Sequence, residues 1–311
     1  MPEAPSPRTR VLVAGDANPD LVLRGDVTPR FGQAEQLLDE AALVIGGSAG
    51  ITAHGFARLG RPTSLVAVVG ADAFGERARQ ALEAGGVDTS AFRVDPAVPT
   101  GLSVILSRPE DRAILTLLGT IPALSADDVR AAVTAVAPAH VHVSSYYLMN
   151  ADFLAALPAV FRELRAAGVS TSLDTNDDPA REWRHLSELL PHVDVLLPNE
   201  SEARGLGGDQ DPRSAATALA ARGPLVVVKA GGDGAFAATP DGALVDCPGT
   251  PVPVVDTTGA GDTFNAAFVD AWLAGRALEE CLARGVRAGA LAVSATGGTA
   301  GQPTAADLDG R

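Results

Sequence analysis

The chain has little of several features that define whole classes of protein. Its two cysteines, Cys247 and Cys281, have a spacing that fits neither a disulfide framework nor a metal-ligand motif. Its five histidines form no ligand motif, and His140 and His142 alternate in a strand-like run that favours a structural role. No apolar run approaches the length of a membrane span. These absences argue against a disulfide-stabilised or transmembrane protein and against a metal site built on a recognisable motif.

Positive charge is outweighed, because 24 Lys and Arg face 38 Asp and Glu, which gives a formal net charge of −14, and Lys229 is the only lysine. This balance argues against nucleic acid or an anionic membrane surface as a partner. It also requires that a phosphorylated ligand be held locally, by main-chain amides, cations or a few arginines. The segment from Met1 to Arg10 lacks the hydrophobic region of a signal peptide, so we expect a cytoplasmic location.

The length and composition fit one α/β domain over residues 1–311, since 46% of the residues are hydrophobic and can bury a large core. Unbroken apolar runs predict buried strands at 11–15, 43–45, 64–69, 140–143, 170–173, 193–197 and 225–228, followed by a hairpin of 235–238 and 243–246. Helical segments are predicted around 74–84, 126–136, 151–167, 181–190 and 212–222. Strands that alternate with helices of this length predict a mostly parallel sheet covered on both faces.

Two segments interrupt this alternation. Residues 21–38 lack helical periodicity, and residues 101–118 are typical of a hairpin whose turn is Arg108-Pro109-Glu110-Asp111. We predict that both belong to a small β-layer beside the main sheet, with strands within about 18–42 and 98–120. Such a layer is either a lid over a ligand site or an ordinary edge hairpin.

The stretch from Val254 to Phe264 predicts an anion site beside a catalytic base. The small residues Gly259, Ala260 and Gly261 let the backbone turn tightly before an amphipathic helix. Free N–H groups and the positive end of the helix dipole at such a turn attract phosphate. Asp262 lies in the first turn, where a carboxylate can take the proton from a hydroxyl that attacks phosphorus. A helix start whose aspartate complements the dipole is the simpler interpretation.

Two more strand ends carry groups suited to a ligand. Asn18 and Asp20 follow the first strand, where ligands of open α/β sheets gather, and can bond vicinal hydroxyls. An Asx turn is the equal alternative. Gly46 and Gly47 form a strand-to-helix turn at which side chains would clash with a close ligand, and Ser48 is the expected cap of the next helix.

Polar and glycine-rich segments also follow two later strands. Asn199, Glu200 and Glu202 suit water-mediated binding of Mg²⁺, although a solvated helix start is as common. Residues 225–228 lead into a glycine-rich turn from Lys229 to Gly234. This turn has neither the spacing of a Walker A loop nor a GxGxxG fingerprint.

Residues 256–264 resemble the C-terminal signature of the ribokinase-like (PfkB) family of sugar kinases, and residues 46–60 resemble its N-terminal signature. The segments around Asn18, Asn199 and Lys229 fall where that family has its substrate, metal and nucleotide elements. The resemblance is collinear over nearly the whole chain. It implies a ribokinase-like three-layer α/β sandwich with a small β-lid, a requirement for ATP and Mg²⁺, and often a homodimer made through the lids.

The resemblance also implies a role for each matching residue. Asp262 would be the general base, and the amides of Gly259, Ala260 and Gly261 would form the anion hole for the transferred phosphoryl group. The remaining roles would be as follows: Asn18, Asp20, Gly46 and Gly47 hold substrate hydroxyls, Asn199 and Glu202 organise Mg²⁺ and its waters, Lys229, Gly231 and Gly234 lie along the nucleotide, and Asp256 with the carbonyl of Thr258 belongs to a site for a monovalent cation such as K⁺.

Departures from the family pattern concern the acceptor. Ribokinases carry an asparagine where this chain has Ile51, and a glutamate after the strand that here ends in Ser144-Ser145-Tyr146-Tyr147. Loss of two polar contacts argues against ribose and favours a bulkier substrate such as a nucleoside, unless the tyrosines are structural. Arg112 in the lid could meet the carboxylate of a sugar acid. Lys229 replaces a common threonine, either near the nucleotide phosphates or in a structural salt bridge.

The sequence therefore predicts an ATP-dependent kinase that phosphorylates a hydroxymethyl group of a sugar or sugar-like molecule. A nucleoside kinase of the same family is the alternative within this class. A non-catalytic sensor of sugars or nucleotides is the alternative from another class, and the intact Asp262 and glycine turn count against it.

Overall fold

The computed structural model describes residues 10–108 and 112–310, so most of the segment from Met1 to Arg10 and the predicted turn residues 109–111 lie outside it. Within these ranges eight strands form the central sheet. In sheet order they are β14 (Leu244–Pro248), β13 (Gly234–Ala238), β12 (Leu225–Lys229), β11 (Val195–Leu196), β10 (Ser170–Leu173), β9 (His140–Val143), β1 (Val11–Ala14) and β4 (Thr63–Val66). All neighbours from β12 to β4 are parallel, and β13 and β14 form the predicted antiparallel hairpin. The prediction of a mostly parallel sheet is confirmed.

Helices cover both faces of this sheet. They are α1 (Ser48–Arg58), α2 (Ala73–Ala84), α3 (Ala126–Val136), α4 (Ala151–Ala166), α5 (Glu200–Gly207), α6 (Pro212–Ala220), α7 (Ala260–Leu273), α8 (Leu278–Ala292) and α9 (Ala305–Asp309). Successive strand residues point to opposite faces, so β1 buries Leu12 on one side and Val13 on the other. Leu12 shares a core with Phe153 of α4, whereas Val13 shares one with Phe56 of α1 and Phe268 of α7. The result is three layers, with a large hydrophobic core on each face of the central sheet.

A second sheet, which we call the lid sheet, lies beside the carboxyl ends of the central strands. In the described ranges its strands are, in order, β3 (Leu38–Ile45), β2 (Pro19–Gly25), β7 (Leu102–Ser107) and β8 (Arg112–Leu117). Arg112 at the start of β8 donates a 2.9 Å hydrogen bond to Thr258 Oγ1, in the loop before α7. The lid sheet therefore extends over the segment that the sequence singles out as an anion site. A smaller pair, β5 (Val68–Gly70) with β6 (Arg93–Asp95), lies elsewhere.

Some predicted elements differ from the observed ones. Residues 43–45 are the end of β3 in the lid sheet, and residues 64–69 divide between β4 and β5. The helix predicted at 181–190 is wrong, since positive φ angles at Arg181, Trp183 and His185 interrupt any right-handed helix there. In the described part of the chain, no helix has both the length and the apolar composition that a membrane span requires.

Candidate active site

The start of α7 forms a turn whose main-chain N–H groups lie outside the helical hydrogen bonds. Gly259 precedes the helix with φ 70°, and a Cβ there would lie 2.6 Å from Gly298 O, so both conformation and space require glycine. Thr263 N donates to Gly259 O at 2.9 Å, which is the first hydrogen bond of the helix. Ala260 N donates to Thr257 O at 3.4 Å, whereas the amide of Gly261 precedes the first helical bond, and helix geometry leaves such a group for another acceptor. The backbone here has the form of an anion-binding turn.

Asp262 is the half-buried carboxylate at this turn. The hydroxyl of Ser48, at the start of α1, donates a short hydrogen bond to Asp262 Oδ1. Burial, followed by the negative charge of Asp174, raises the pKa of Asp262 to about 7, although Ser48 and Lys229 act in the opposite direction. A carboxylate whose pKa lies near neutrality is suited to accept a proton and release it again.

Ser48 is not the cap of α1, contrary to the prediction. Gly47 occupies that position without a side-chain cap, and the carboxylate of Asp16 accepts hydrogen bonds from Ser48 N at 3.3 Å and Ala49 N at 3.0 Å. A side chain from the end of β1 thus satisfies the first amides of α1, which frees the Ser48 hydroxyl for Asp262. Asp16 was not among the site residues predicted from the sequence, although it lies in the polar segment after the first strand.

Lys229 belongs to a buried polar cluster beside the same turn. Its Nζ donates to Asp174 Oδ2 at 2.6 Å and to Asn265 Oδ1 at 3.3 Å. Burial acts to lower the pKa of Lys229, but the attraction of Asp174 and Glu202 outweighs it and the pKa is raised. A Cβ on Gly261 would lie 3.6 Å from Lys229 Nζ, so the ammonium group also lies next to the α7 turn. Both interpretations of Lys229 are therefore compatible: it forms a structural salt bridge with Asp174 and also lies near the proposed anion site.

Asp174 and Asn265 were not among the site residues predicted from the sequence. Asp174 directly follows β10 at the carboxyl edge of the sheet, as Asn199 does after β11, so the rule that ligand groups gather at strand ends would have found it. Asn265 lies in α7 one turn beyond Asp262, where its helical context resembles that of any core residue.

Asn199 and Glu202 form a capping box at the start of α5. Asn199 Nδ2 and N donate to the two carboxylate oxygens of Glu202 at 2.7 Å each, and Glu202 N donates to Asn199 Oδ1 at 2.9 Å. Burial, and then the charge of Asp174, raises the pKa of Glu202 to about 7. Among the described residues, no three or more His, Cys, Asp and Glu are grouped as a metal site. These residues could hold Mg²⁺ only through water and bound phosphate, which is common for this ion.

A cavity of about 330 Å³ opens next to the α7 turn. Lys229, Gly231, Gly234 and Gly261 line one side of it, and apolar side chains line the other, namely Val252, Val254, Phe264, Val286, Ala290 and Val293. Its volume lies in the range of small-molecule sites. The glycine-rich turn predicted to lie along a nucleotide therefore borders a cavity with a polar end at the anion turn and an apolar wall.

Asn18, Asp20, Gly46 and Gly47 meet on the other side of the turn, under the lid sheet. Asn18 Nδ2 donates to Asp20 Oδ1 at 3.2 Å, and within the described residues the buried Asn18 Oδ1 has no hydrogen-bond partner. A Cβ on Gly46 would lie 2.0 Å from Asp20 Oδ1, and one on Gly47 would lie 3.0 Å from Asn18 Oδ1. The glycine pair thus makes room for these polar side chains. Burial, and then the charge of Asp16, raises the pKa of Asp20 to about 7.

Asp256 and Thr258 lie under two arginines of the lid sheet. Asp256 Oδ1 accepts the N–H of Thr258, and its Oδ2 accepts the N–H of Gly297, both at 2.9 Å. Arg112 Nη1 lies 3.9 Å from Asp256 Oδ1, and Arg24 Nη2 lies 3.7 Å from Oδ2. Burial acts to raise the pKa of Asp256, but the two amides and Arg112 outweigh it and the pKa is lowered. Arg24 was not among the site residues predicted from the sequence.

The residues that depart from the ribokinase pattern, Ile51, Tyr146 and Tyr147, contact other parts of the protein. Tyr146 is fully buried in a core, and its hydroxyl donates to His185 O at 3.2 Å. The hydroxyl of Tyr147 donates to Arg184 O at 3.2 Å. Ile51 is buried against the backbone of Gly259 and Gly298, where added Cβ atoms would lie 2.9 and 2.5 Å from its side chain. The structural interpretation of the two tyrosines is thus favoured.

Comparison with known proteins agrees with this geometry. The chain is 34% identical over 299 residues to the ATP-dependent ribose-1-phosphate kinase of Halopiger xanaduensis, with 93% of each chain covered. The structure of Arabidopsis thaliana ribokinase complexed with ribose and ATP matches with a TM-score of 0.82 at 26% identity, covering 97% of this chain and 98% of that one. The adenosine kinase from Sinorhizobium meliloti also matches with a TM-score of 0.82, at 27% identity and with 94% and 96% covered.

These likenesses confirm the ribokinase-like fold predicted from the sequence. A family model described as pfkB family carbohydrate kinase matches residues 8–305. Because that match spans nearly the whole chain, the protein belongs to the PfkB family of carbohydrate kinases.

Proposed function

We propose that this chain is a single-domain, cytoplasmic kinase that transfers the γ-phosphoryl group of ATP to a hydroxymethyl group of a sugar or sugar phosphate. The observation that supports the proposal most is the position of Asp262. Its carboxylate, with a pKa near 7, stands at the Gly259 turn between the apolar cavity and the polar groups under the lid sheet. A base between a nucleotide and an alcohol is what this reaction needs.

The residues divide the reaction among them. ATP, bound in the 330 Å³ cavity, supplies the phosphoryl group. Asp262 takes the proton of the attacking hydroxyl, and the amides of Gly259, Ala260 and Gly261 donate to the phosphoryl oxygens as charge builds up on them. Lys229, beside Gly261, adds positive charge on the nucleotide side. Positioning and charge neutralisation thus carry the transfer, as this chemistry requires.

The acceptor is proposed to lie between Asp262 and the lid sheet. Asn18 Oδ1, buried and without a partner in the described structure, is free to accept a hydrogen bond from a substrate hydroxyl. Asp20, held against Gly46, adds a second acceptor or, when protonated, a donor. Arg112 of β8 shares a face of the lid sheet with Asp20, because Asp20 is in register with Ser103 and Thr116, and residues 112 and 116 lie on one face of β8.

The residues fit Mg²⁺ better than they fit K⁺, the second ion that the family resemblance implies. Glu202 and Asn199 fit Mg²⁺ held through water and nucleotide phosphate, since each carboxylate oxygen keeps a lone pair after forming the capping box. The predicted monovalent-cation site fits poorly. Asp256 already accepts two main-chain N–H groups, and two guanidinium groups lie within 4 Å of it. No step is therefore assigned to K⁺, whose requirement stays a prediction.

The relatives differ in the acceptor for which they are named. Among the relatives, one is named for ribose 1-phosphate, one is a ribokinase with ribose and one is an adenosine kinase. The nucleoside alternative drew on Tyr146 and Tyr147, whose hydroxyls bond main-chain carbonyls instead. It keeps Ile51 as an apolar neighbour of the anion turn.

A panel of acceptors tests the function. The purified chain, with ATP and Mg²⁺, is assayed for ADP release with pentoses, hexoses, pentose 1-phosphates, sugar acids and nucleosides. We expect ADP release that depends on one class of acceptor and equals the phosphorylated product formed. ATP consumption without any acceptor dependence, or none with every acceptor, would favour the sensor and contradict the kinase.

A homodimer made through the lid sheets is also proposed. Leu115 and Leu117 lie on one face of β8 and are 58% and 55% exposed, which is unusual for neighbouring large apolar side chains. The double substitution Leu115→Glu, Leu117→Glu is expected to halve the particle mass in sedimentation, because two carboxylates per chain oppose burial. A wild-type chain that sediments as a monomer at micromolar concentration contradicts this proposal.

A further inference from the structure

Arg24 and Arg112 occupy one row across the lid sheet. Arg24 of β2 is paired with Ser107 of β7, and Ser107 is paired with Arg112 of β8. Residues in register across neighbouring strands point to the same face of a sheet. Because both guanidinium groups lie within 4 Å of Asp256, this face is the one turned toward the loop before α7.

Arg24 has hydrogen-bonding capacity that is not used within the described part of the protein. Arg24 Nε and Nη2 are buried and have no hydrogen-bond partner among the described residues. The 3.7 Å separation of Arg24 Nη2 from Asp256 Oδ2 is an ion pair but is too long for a hydrogen bond. Buried donors of a charged group are costly when unsatisfied, so their presence points to an acceptor that comes from outside the chain.

The row lies where the far end of an acceptor would be. Asp20, Ser103 and Thr116 form a parallel row on the same face, four residues back along β2. Asn18 Nδ2 donates to Ser103 Oγ at 3.4 Å, so this second row borders the space where Asn18 and Asp20 are proposed to meet the acceptor. A sugar held there with its hydroxymethyl group at Asp262 has its opposite end directed to the arginine row.

We infer that the acceptor already carries a phosphate monoester, and that Arg24 and Arg112 bind it. This inference rests on the proposed function. A phosphate offers several anionic oxygens to two guanidinium forks, one from each side, which a neutral sugar does not. The cationic row would then select the phosphorylated form of the sugar, while Asp262 and the α7 turn carry out the transfer.

The test compares matched acceptors in the ADP-release assay. A pentose 1-phosphate, the free pentose and the corresponding pentonic acid share the hydroxymethyl group and differ in the anion at the other end. We expect kcat/KM to be at least about a hundredfold higher for the phosphate ester than for the free pentose, given the strength of charge-assisted pairs. The pentonic acid is expected to lie between the two.

Arginine variants assign the selectivity to the row. Arg24→Gln and Arg112→Gln should each lower the ratio of kcat/KM for the pentose 1-phosphate to kcat/KM for the free pentose by about tenfold to a hundredfold. Arg30→Gln is the matched control, because Arg30 lies in the same region but is exposed and paired with Asp26. Thermal unfolding and ATP affinity of each variant establish that it is folded.

Binding supplies a readout that does not need turnover. Asp262→Asn, with the base removed, should still bind the pentose 1-phosphate in calorimetry, and adding Arg24→Gln should weaken that binding. Equal kcat/KM for free pentose and pentose 1-phosphate, or a preference for the pentonic acid, overturns the inference while the kinase proposal stands. Failure of every acceptor to release ADP instead contradicts the proposed function itself.

Discussion

The proposed active-site groove has a nucleotide side, which is the cavity beside α7, and an acceptor side, which lies between Asp262 and the lid sheet. The two sides present different chemical groups. On the nucleotide side, main-chain groups of the Gly231–Gly234 turn and the start of α7 border an apolar cavity. On the acceptor side, the polar groups are side chains on the lid sheet and its approach, such as Asn18, Asp20 and Arg24. Main-chain donors come with the backbone path whatever the neighbouring side chains are. Side chains can be exchanged one at a time, so the acceptor side is where one fold can change its substrate.

The largest effect is expected at the junction of the two sides. Asp262→Asn removes the base but keeps the size of the side chain and a group that Ser48 can still contact. We expect kcat to fall by about 10³-fold, because the attacking hydroxyl loses its proton acceptor. Affinity for ATP should change by less than about threefold, since the cavity and the α7 amides are untouched. Steady-state kinetics and calorimetric titration with ATP measure the two quantities.

An Asp262→Asn enzyme that keeps a tenth or more of its turnover would show that the proton leaves by another route. A variant that instead loses ATP binding would show that the two sides are not separable at this residue. In that case the side chain of Asp262 would contribute to nucleotide binding as well as to the acceptor side.

A smaller effect is expected from Gly46→Ala on the acceptor side. Its Cβ would lie 2.0 Å from Asp20 Oδ1, so the carboxylate must leave its place beside Asn18. We expect the KM for the acceptor to rise about tenfold to a hundredfold, with the KM for ATP nearly unchanged, because a buried polar contact is displaced. Adding Asp20→Ala removes the clash and should restore thermal stability without restoring the KM. A rise in the KM for ATP of equal size would contradict the division of the groove.

The same division explains what the sequence could predict. The turn at Gly259 to Asp262 is a local feature, and its glycines, small residues and amphipathic continuation are adjacent in the chain. The parallel sheet follows from periodicity in the same way. Ser48, by contrast, is an ordinary cap in local terms. It bonds Asp262 only because Asp16, from another strand end, occupies the amides of α1.

Arg24 and Asp174 were missed for related reasons. Arg24 follows three consecutive apolar residues in β2, a pattern that does not indicate a ligand site, and its approach to Asp256 depends on how the lid sheet sits on the central sheet. Asp174 was within reach of the strand-end rule, but its partners Lys229 and Asn265 come from β12 and α7. Contacts between elements distant in sequence require the tertiary arrangement.

The pH dependence of kcat/KM is expected to follow the ionisation of Asp262. Its carboxylate must be ionised to act as a base, so with a pKa of about 7 the kcat/KM should fall about tenfold per pH unit below that value and level off above it. Ser48→Ala removes a hydrogen bond that favours the ionised form, so the pKa should rise and the acid limb should move to higher pH by up to about one unit. At pH 9 the variant and the wild type should be nearly equal.

Ser294→Ala is the control for this experiment. Its hydroxyl is exposed and donates to Leu291 O, outside the groove, so its pH profile should match that of the wild type. A shift of the acid limb to lower pH in Ser48→Ala would contradict the assignment. So would a profile that is flat between pH 5 and 8.

The smallest effect is expected from Tyr146→Phe, and it decides whether this tyrosine belongs to the acceptor side or to the core. Its ring is fully buried, and its hydroxyl donates to His185 O. Losing that bond should lower the free energy of unfolding by about 1 kcal/mol, as measured by urea denaturation. The kinetic constants for every acceptor should stay within error, because the ring keeps its place. A change in the KM for a nucleoside without a change in stability would return Tyr146 to the substrate pocket and revive the nucleoside alternative.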